Sequence, residues 1–433
     1  MSLRSAISLP LRQILRQAIP SRSFHHRTPL RPREFLLRRP QRRHASFTSN
    51  ARALFRQNPV SVSLALLALT SGIAALVYTN YLYQYYILRA FHNYPEYVAK
   101  KLRRALYFTN TDLQPQEALK YYKQALQIAE EVGMDPFSDE IIGVKVQVAK
   151  LMEDVRQPAK AVQVLEILRR DCLEWMKQLG GLEKNRVKRT RVLAKVVAVT
   201  VKLGELYGSP EIYDRELAEE RLVWAVETVL KERVRRDGIR RADGLSEEAL
   251  CEREGVWMTD SETGAALERL AASYEEKDLH YLASPLFLQA LSLYPTKDCH
   301  TVILMNNLAS SLAQQSPRAA SAVSAQASSS TIATTPPAMS TTAPATRESM
   351  VQNARLWAQK ALDVASSIQP PVRNEECDIG CAVATHNLAE FAEMLGQRDE
   401  AGRLYAEAKG IAKAIGFAEG VEMSESRLKA MTR

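Results

Sequence analysis

Small and bulky residues return along this chain at spacings that only pairs of closely crossing helices satisfy. In LERLAASYEEKDLHYLASPLFLQALSLYP, residues 267–295, Leu267, Leu270, Ala271 and Tyr274 fall on one face of a first helix. Ala283, Phe287 and Ala290 fall on one face of a second helix that stops at Pro295. Offsets of three, four and seven residues put side chains on a single helical stripe. At a tight crossing a small side chain lets the two backbones approach, and the bulky residue beside it fills the neighbouring groove. Pro285 interrupts the second helix: either the helix begins late, with Ser284 as cap and Pro285 as first residue, or it runs through the proline with a kink.

The same spacing recurs. NLAEFAEMLGQRDEAGRLYAEAKGIA sets Leu388, Ala389, Ala401, Tyr405 and Ala408 in register, and KLGELYG with the residues after it supplies Leu203, Gly204, Tyr207, Ala218, Leu222 and Ala225. Earlier units carry Val148, Ala149, Met152, Ala161, Leu165 and Leu168, and before them Ala118, Tyr122 and Ala125. A split unit pairs ILMNNLASSLAQQ with VQNARLWAQKALDVASS, which holds Ala354, Ala358 and Ala361. This resembles the tetratricopeptide repeat, W-x2-L-G-x2-Y then A-x3-F then P over about 34 residues. The expected fold is all-α: a tetratricopeptide-repeat solenoid of about six helix pairs over residues 96–433, preceded by a single transmembrane helix. Residues 316–349 are Ser, Ala, Thr and Pro with almost no bulky apolar side chains, so they read as a disordered loop inside the fifth repeat.

Net charge is +9, but it is unevenly placed. Residues 1–56 hold thirteen Arg, no Lys and one acid, Glu34; the remainder has 45 basic and 48 acidic residues, a balance of −3. No basic excess is left to neutralise phosphates, which argues against a nucleic-acid partner. The Arg-rich, nearly acid-free residues 1–50 have the make-up of a mitochondrial presequence, the alternative being a disordered basic tail. From Arg56 to Arg89 no charged residue intervenes. Residues 57–88 therefore read as a transmembrane helix followed by an aromatic belt of Tyr78, Tyr81, Tyr83, Tyr85 and Tyr86. Basic residues flank both ends, so charge does not orient the span. Import order does: a presequence followed by a stop-transfer segment leaves the C-terminal domain in the intermembrane space.

With an Arg-rich presequence, one span ending in tyrosines and EALKYYKQALQIAEEVGMDPFSDEIIGVKVQVAKLMEDV leading into large repeats, the layout resembles the tetratricopeptide-repeat adaptor subunits of the fungal mitochondrial inner-membrane i-AAA protease complex. That resemblance implies a non-catalytic adaptor that binds the AAA protease and its other adaptor subunit and helps recruit unfolded membrane-protein substrates. The alternative is an inner-membrane repeat protein that assists assembly of a respiratory complex. The resemblance brings no catalytic residue with it.

Motifs for chemistry are missing: the sequence contains no G-x-x-x-x-G-K-[ST], no H-E-x-x-H and no G-x-S-x-G, so no cofactor, metal or catalytic residue is assigned. The five Cys are an odd number, and Cys377 and Cys381 form a C-x3-C without a second pair, read as ordinary helical cysteines. Repeat receptors that clamp a carboxylate converge cations on their first helices. Here the matching register carries Val146 and Lys150, Val201 and Glu205, Glu268 and Ala272, Asn306 and Ser310, His386 and Glu390. That mixture suits extended or partly unfolded chains better than a carboxylate tail. The candidate substrate-binding residues are Glu268, Asn306, Asn307, His386, Asn387 and Glu390, with internal hydrogen bonding the competing use of the Asn side chains. The basic runs 184–195 and 231–241 read as solvated helix faces, or alternatively as contacts to anionic lipid.

Overall fold

The computed structural model describes residues 56, 58–82, 84–85, 89–295, 298–318 and 346–431. The presequence expected over residues 1–50 lies outside them, as does most of the 316–349 insert. Two compact units are present, Met1–Tyr86 and Ile87–Arg433.

In the first unit, α1 (Pro59–Leu82) is a 24-residue helix with no buried residue. At about 1.5 Å per residue it is some 36 Å long, enough for a hydrocarbon core of about 30 Å. Its mean hydropathy is 2.2, so by length and composition it can cross a membrane. Three of its hydroxyls bond back to the helix itself: Ser63 donates to the Pro59 carbonyl at 2.7 Å, Thr70 to Leu67 and Ser71 to Ala68, both at 3.0 Å. Such back-bonding removes the penalty of an unpaired polar group in lipid. At its far end the rings of Tyr81 and Tyr85 stack 5.8 Å apart; Tyr83 and Tyr86 lie outside the described residues.

The second unit is a run of helix pairs: α2 (Glu96–Asn110) with α3 (Pro115–Glu131), α4 (Asp139–Asp154) with α5 (Pro158–Leu179), and α6 (Arg186–Gly208) with α7 (Arg215–Asp243). A short α8 (Glu247–Glu254) packs on α6 and α7. Then follow α9 (Asp260–Glu275) with α10 (His280–Leu291), α11 (Cys299–Gln314) with α12 (Arg347–Ser367), and α13 (Glu375–Met394) with α14 (Arg398–Ala414). Helix α15 (Ala418–Met431) closes the end against α14. Each pair packs on the next, and the described residues contain no strand. The fold is a tetratricopeptide-repeat solenoid of six helix pairs.

Local chemistry sets the boundaries. Pro115 and Pro158 open α3 and α5, where a missing N–H is harmless. Ser138 and Asp214 accept N-terminal amides of α4 and α7, and Thr259 with Glu262 forms a capping box on α9; each such cap contributes about 1 kcal/mol. The turns inside four pairs place one residue in the left-handed region: Arg156 (φ 56°), Tyr213 (φ 54°), Asp278 (φ 58°) and Gly396 (φ 78°). Only the last is a glycine.

The repeating residues form the core. Leu267, Leu270, Ala271, Ala283, Phe287, Ala290, Leu203, Leu222, Ala401 and Tyr405 are all buried. At the α6–α7 crossing a Cβ on Gly204 would lie 2.5 Å from Leu222 Cγ, so only glycine permits this approach. Pro285 sits inside α10, which already starts at His280, so the late-start alternative does not hold. The hydroxyls of Ser284 and Ser311 converge on the His280 carbonyl at 2.9 and 3.3 Å, just before the carbonyl that Pro285 cannot pair. The stretch expected to be loop is shorter than 316–349 at its end: Thr346 caps α12, in a reciprocal box with Ser349.

One expectation is corrected outright. Cys377 is not an ordinary helical thiol; it is disulfide-bonded to Cys299, 78 residues earlier, and the C-x3-C pair is not joined to itself. Cys299 opens α11 and Cys377 is in the first turn of α13, so stacking of consecutive first helices brings the two together.

Candidate functional site

The first helices α4, α6, α9, α11 and α13 carry a ladder of charge from repeat to repeat. Lys202 on α6 reaches Glu153 on α4 at 3.0 Å and Glu205 at 3.3 Å, and Glu205 pairs with Arg269 on α9 at 2.8 Å. Beside Arg269, Glu268 contacts His300 Nε2 on α11 at 2.9 Å, and His300 Nδ1 lies 4.0 Å from Glu376 on α13. The hydrogen bond that His300 donates to Glu268 raises the His300 pKa above the usual imidazole value, against the opposing effect of partial burial. Exposed pairs of this kind contribute about 0–1 kcal/mol each. Their larger consequence is a face of alternating sign with Val146 standing exposed on it. Of its cations, Lys202 and Arg269 are held by carboxylates, while Lys150 is exposed.

The structure distributes the six candidate residues unevenly. Glu268 sits in the ladder, half-buried, and Asn307 is half-buried on α11. Asn306 is 1% exposed; its Nδ2 donates to the Gly380 carbonyl of α13 at 2.8 Å. Asn387 donates to the Asn306 carbonyl at 3.4 Å. These bonds knit α11 to α13 where a Cβ on Gly380 would lie 2.8 Å from Val302 Cγ1. His386 is buried, with Nδ1 2.9 Å from the Ser424 hydroxyl of α15. Burial, reinforced by Arg427, holds its pKa below the ordinary imidazole value. Glu390, 3.9 Å from His386 Nε2, is pushed up by burial and by Glu393, against Arg427. Arg427 also binds Glu393 at 2.9 Å, so α15 engages this end of the face through one connected network.

Two polar features had no sequence signal. Glu275 at the end of α9 has its carboxyl pushed up to about 7 by burial, with Ser311 acting in the opposite direction. It neighbours the Ser284–Ser311 hydroxyl pair and the buried His280, whose Nδ1 has no protein partner among the described residues. The second feature is the fate of the basic runs. Arg186 and Arg189 of the first run and Arg235 of the second turn inward onto Glu254 and Glu232, both 3% exposed, at 2.6 to 3.8 Å. Lys188 and Arg191 pair with Asp135 and Asp139. Much of what reads as a basic surface is therefore internal wiring between α6, α7 and α8.

No family model matches the chain. A curated protein described as a TPR repeat-containing protein, from Schizosaccharomyces pombe, is 26% identical over 337 residues, 77% of this chain and 77% of that protein. The chain is similar to repeat proteins. Among solved structures, BtubC (BKLC) from P. vanneervenii overlaps 71% of this chain and 93% of its own at 13% identity, with a TM-score of 0.44. A Podosopora anserina protein described as a kinesin light chain with nearly identical TPR-like repeats overlaps 66% and 100%, at 15% identity and a TM-score of 0.39.

Proposed function

We propose that this protein is a non-catalytic adaptor of the mitochondrial inner membrane, anchored by α1 with its repeats in the intermembrane space. There it binds the i-AAA protease and its other adaptor subunit and presents unfolded membrane proteins for degradation. The observation that carries this reading is the joining of a membrane-length apolar helix to a six-pair helical solenoid with a mixed-sign first-helix face. Solenoids of this type bind other proteins along such faces. Tethering confines the face to the membrane surface and raises its effective concentration toward other membrane proteins, so weak contacts suffice for capture. Alternating charge with exposed apolar positions suits segments of no fixed sequence. Of the candidate residues, the partly exposed Glu268, Asn307 and Glu390 are the ones this reading assigns to a guest chain, while Asn306, His386 and Asn387 bond to neighbouring helices.

Affinity purification of the full chain from digitonin-solubilised membranes tests the assignment. The AAA protease is expected to co-purify in stoichiometric amounts. Recovery of respiratory assembly intermediates without the protease contradicts the assignment and supports the assembly-factor alternative.

A further inference from the structure

The Cys299–Cys377 bond ties the start of α11 to the first turn of α13, with their Cα atoms 4.7 Å apart. Between them in sequence lie all of α11, the insert and all of α12. Both cysteines are 0% exposed, enclosed with Val302, Met305, Ala365 and Ile368. Once α13 has docked on α11, neither sulfur can be reached by an oxidant or a reductant. Both cysteines also sit at helix N-termini, where the backbone dipole favours thiolate and hence thiol–disulfide exchange. Cys172 is the reverse: burial pushes its thiol up to about 11, and it takes no part.

We propose that the Cys299–Cys377 bond is installed by a dithiol–disulfide oxidoreductase before α13 docks, and that the repeat unit therefore resides on an oxidising side of its membrane. In the first step one cysteine thiolate attacks the disulfide of the oxidoreductase and forms a mixed disulfide, releasing one enzyme thiolate. The second cysteine then attacks the sulfur of the first, and the enzyme leaves as a dithiol. Two electrons and two protons pass from this chain to the enzyme. The finished bond holds consecutive first helices together across the split repeat, independently of the insert. A protein kept in a reducing compartment would present these two residues as free thiols.

The test is a thiol count on the full chain in native membranes, trapped with acid, denatured, and treated with a polyethylene-glycol maleimide with or without prior reduction. Of five cysteines, the wild-type chain is expected to take three adducts unreduced, on Cys172, Cys251 and Cys381, and five after reduction. Cys299→Ser is expected to take four in both conditions, because Cys377 loses its partner. Two adducts unreduced in Cys299→Ser would mean that Cys377 pairs with Cys381, and five unreduced in the wild type would mean reduced thiols; either overturns the proposal. The count is read in denaturant, so a variant that fails to fold is still scored. Synthesis under a membrane-permeant dithiol should leave the C-terminal repeats trypsin-sensitive. Trypsin resistance equal to the oxidised chain, with five adducts, would show that docking does not follow the bond. Each readout is separate from protease co-purification, so this inference and the proposed function can fail independently.

Discussion

Gly204 offers the sharpest test of the packing rule on which the fold rests. A Cβ at this position on α6 would lie 2.5 Å from Leu222 Cγ and 2.7 Å from Cδ2, whereas one on Gly402 of α14 would meet nothing within 4 Å. Leu222 is 3% exposed and cannot swing into solvent. Gly→Ala in a helix gains about 0.5–1 kcal/mol from backbone entropy at either site. Only at Gly204 is that gain opposed by overpacking, which costs about 1–3 kcal/mol. The intrinsic term cancels in the comparison, so Gly204→Ala should be less stable than Gly402→Ala by about 1–3 kcal/mol. Urea unfolding of the repeat unit followed by circular dichroism measures both, and in a Leu222→Ala background, itself destabilised by loss of a buried side chain, the further cost of Gly204→Ala should shrink or vanish. Equal stabilisation by the two substitutions would refute the claim that a small residue is required at this crossing.

The remaining predictions concern charge and backbone. Because burial raises Glu275 to about 7, its folded pKa exceeds the unfolded carboxylate value of about 4.3; its contribution is full below that and is lost as pH rises toward 7. Glu275→Gln should flatten the pH dependence of the urea midpoint over this window, by at most about 4 kcal/mol; an unchanged slope contradicts the assignment. His300 also has a raised folded pKa, so its pairing with Glu268 stabilises below the free imidazole value of about 6.5 and fades as pH rises through the folded value. Glu268→Gln should move the His300 resonance titration to lower pH, and an unmoved titration argues against the ladder. Asp278→Gly should raise stability by up to about 1 kcal/mol, since the left-handed conformation costs an L-residue about 1–2 kcal/mol and glycine's added chain entropy offsets part of the relief. Loss of stability in that variant would mean that the Asp278 side chain does more in the turn than occupy it.

What the sequence revealed and what it concealed divide along a physical line. Periodicity within a helix reports which face is buried, so Leu267, Ala271, Phe287, Tyr405 and their equivalents are legible one by one, as is the charge-free α1. Contacts between repeats depend on how pairs stack, which no local spacing encodes. Cys377 therefore looked like an ordinary helical cysteine, and its bond goes to Cys299 on the preceding first helix. Asn306 shares its register with His386, and Asn387 with Asn307, at positions that point to a groove, yet the close approach of α11 and α13 at Gly380 turns Asn306 and Asn387 inward. The first basic run looked solvated because the Glu254 and Glu232 that Arg186 and Arg189 meet come from α8 and α7, and in the second run Arg235 meets Glu254 of α8 as well as Glu232 one turn away. Pro285 lies within α10, where hydroxyls of Ser284 and Ser311 gather on the neighbouring carbonyl, an arrangement that needs α11 in place.

Photocrosslinking from the first-helix face in intact inner membranes probes the central claim most directly. A benzoyl-phenylalanine at Val146, exposed on α4, should capture unfolded membrane proteins and subunits of the protease, while the same probe at Leu356, exposed on the second helix α12, should capture markedly less. Equal capture from the two positions, or products confined to respiratory assembly intermediates, would contradict an adaptor that works through its first-helix face.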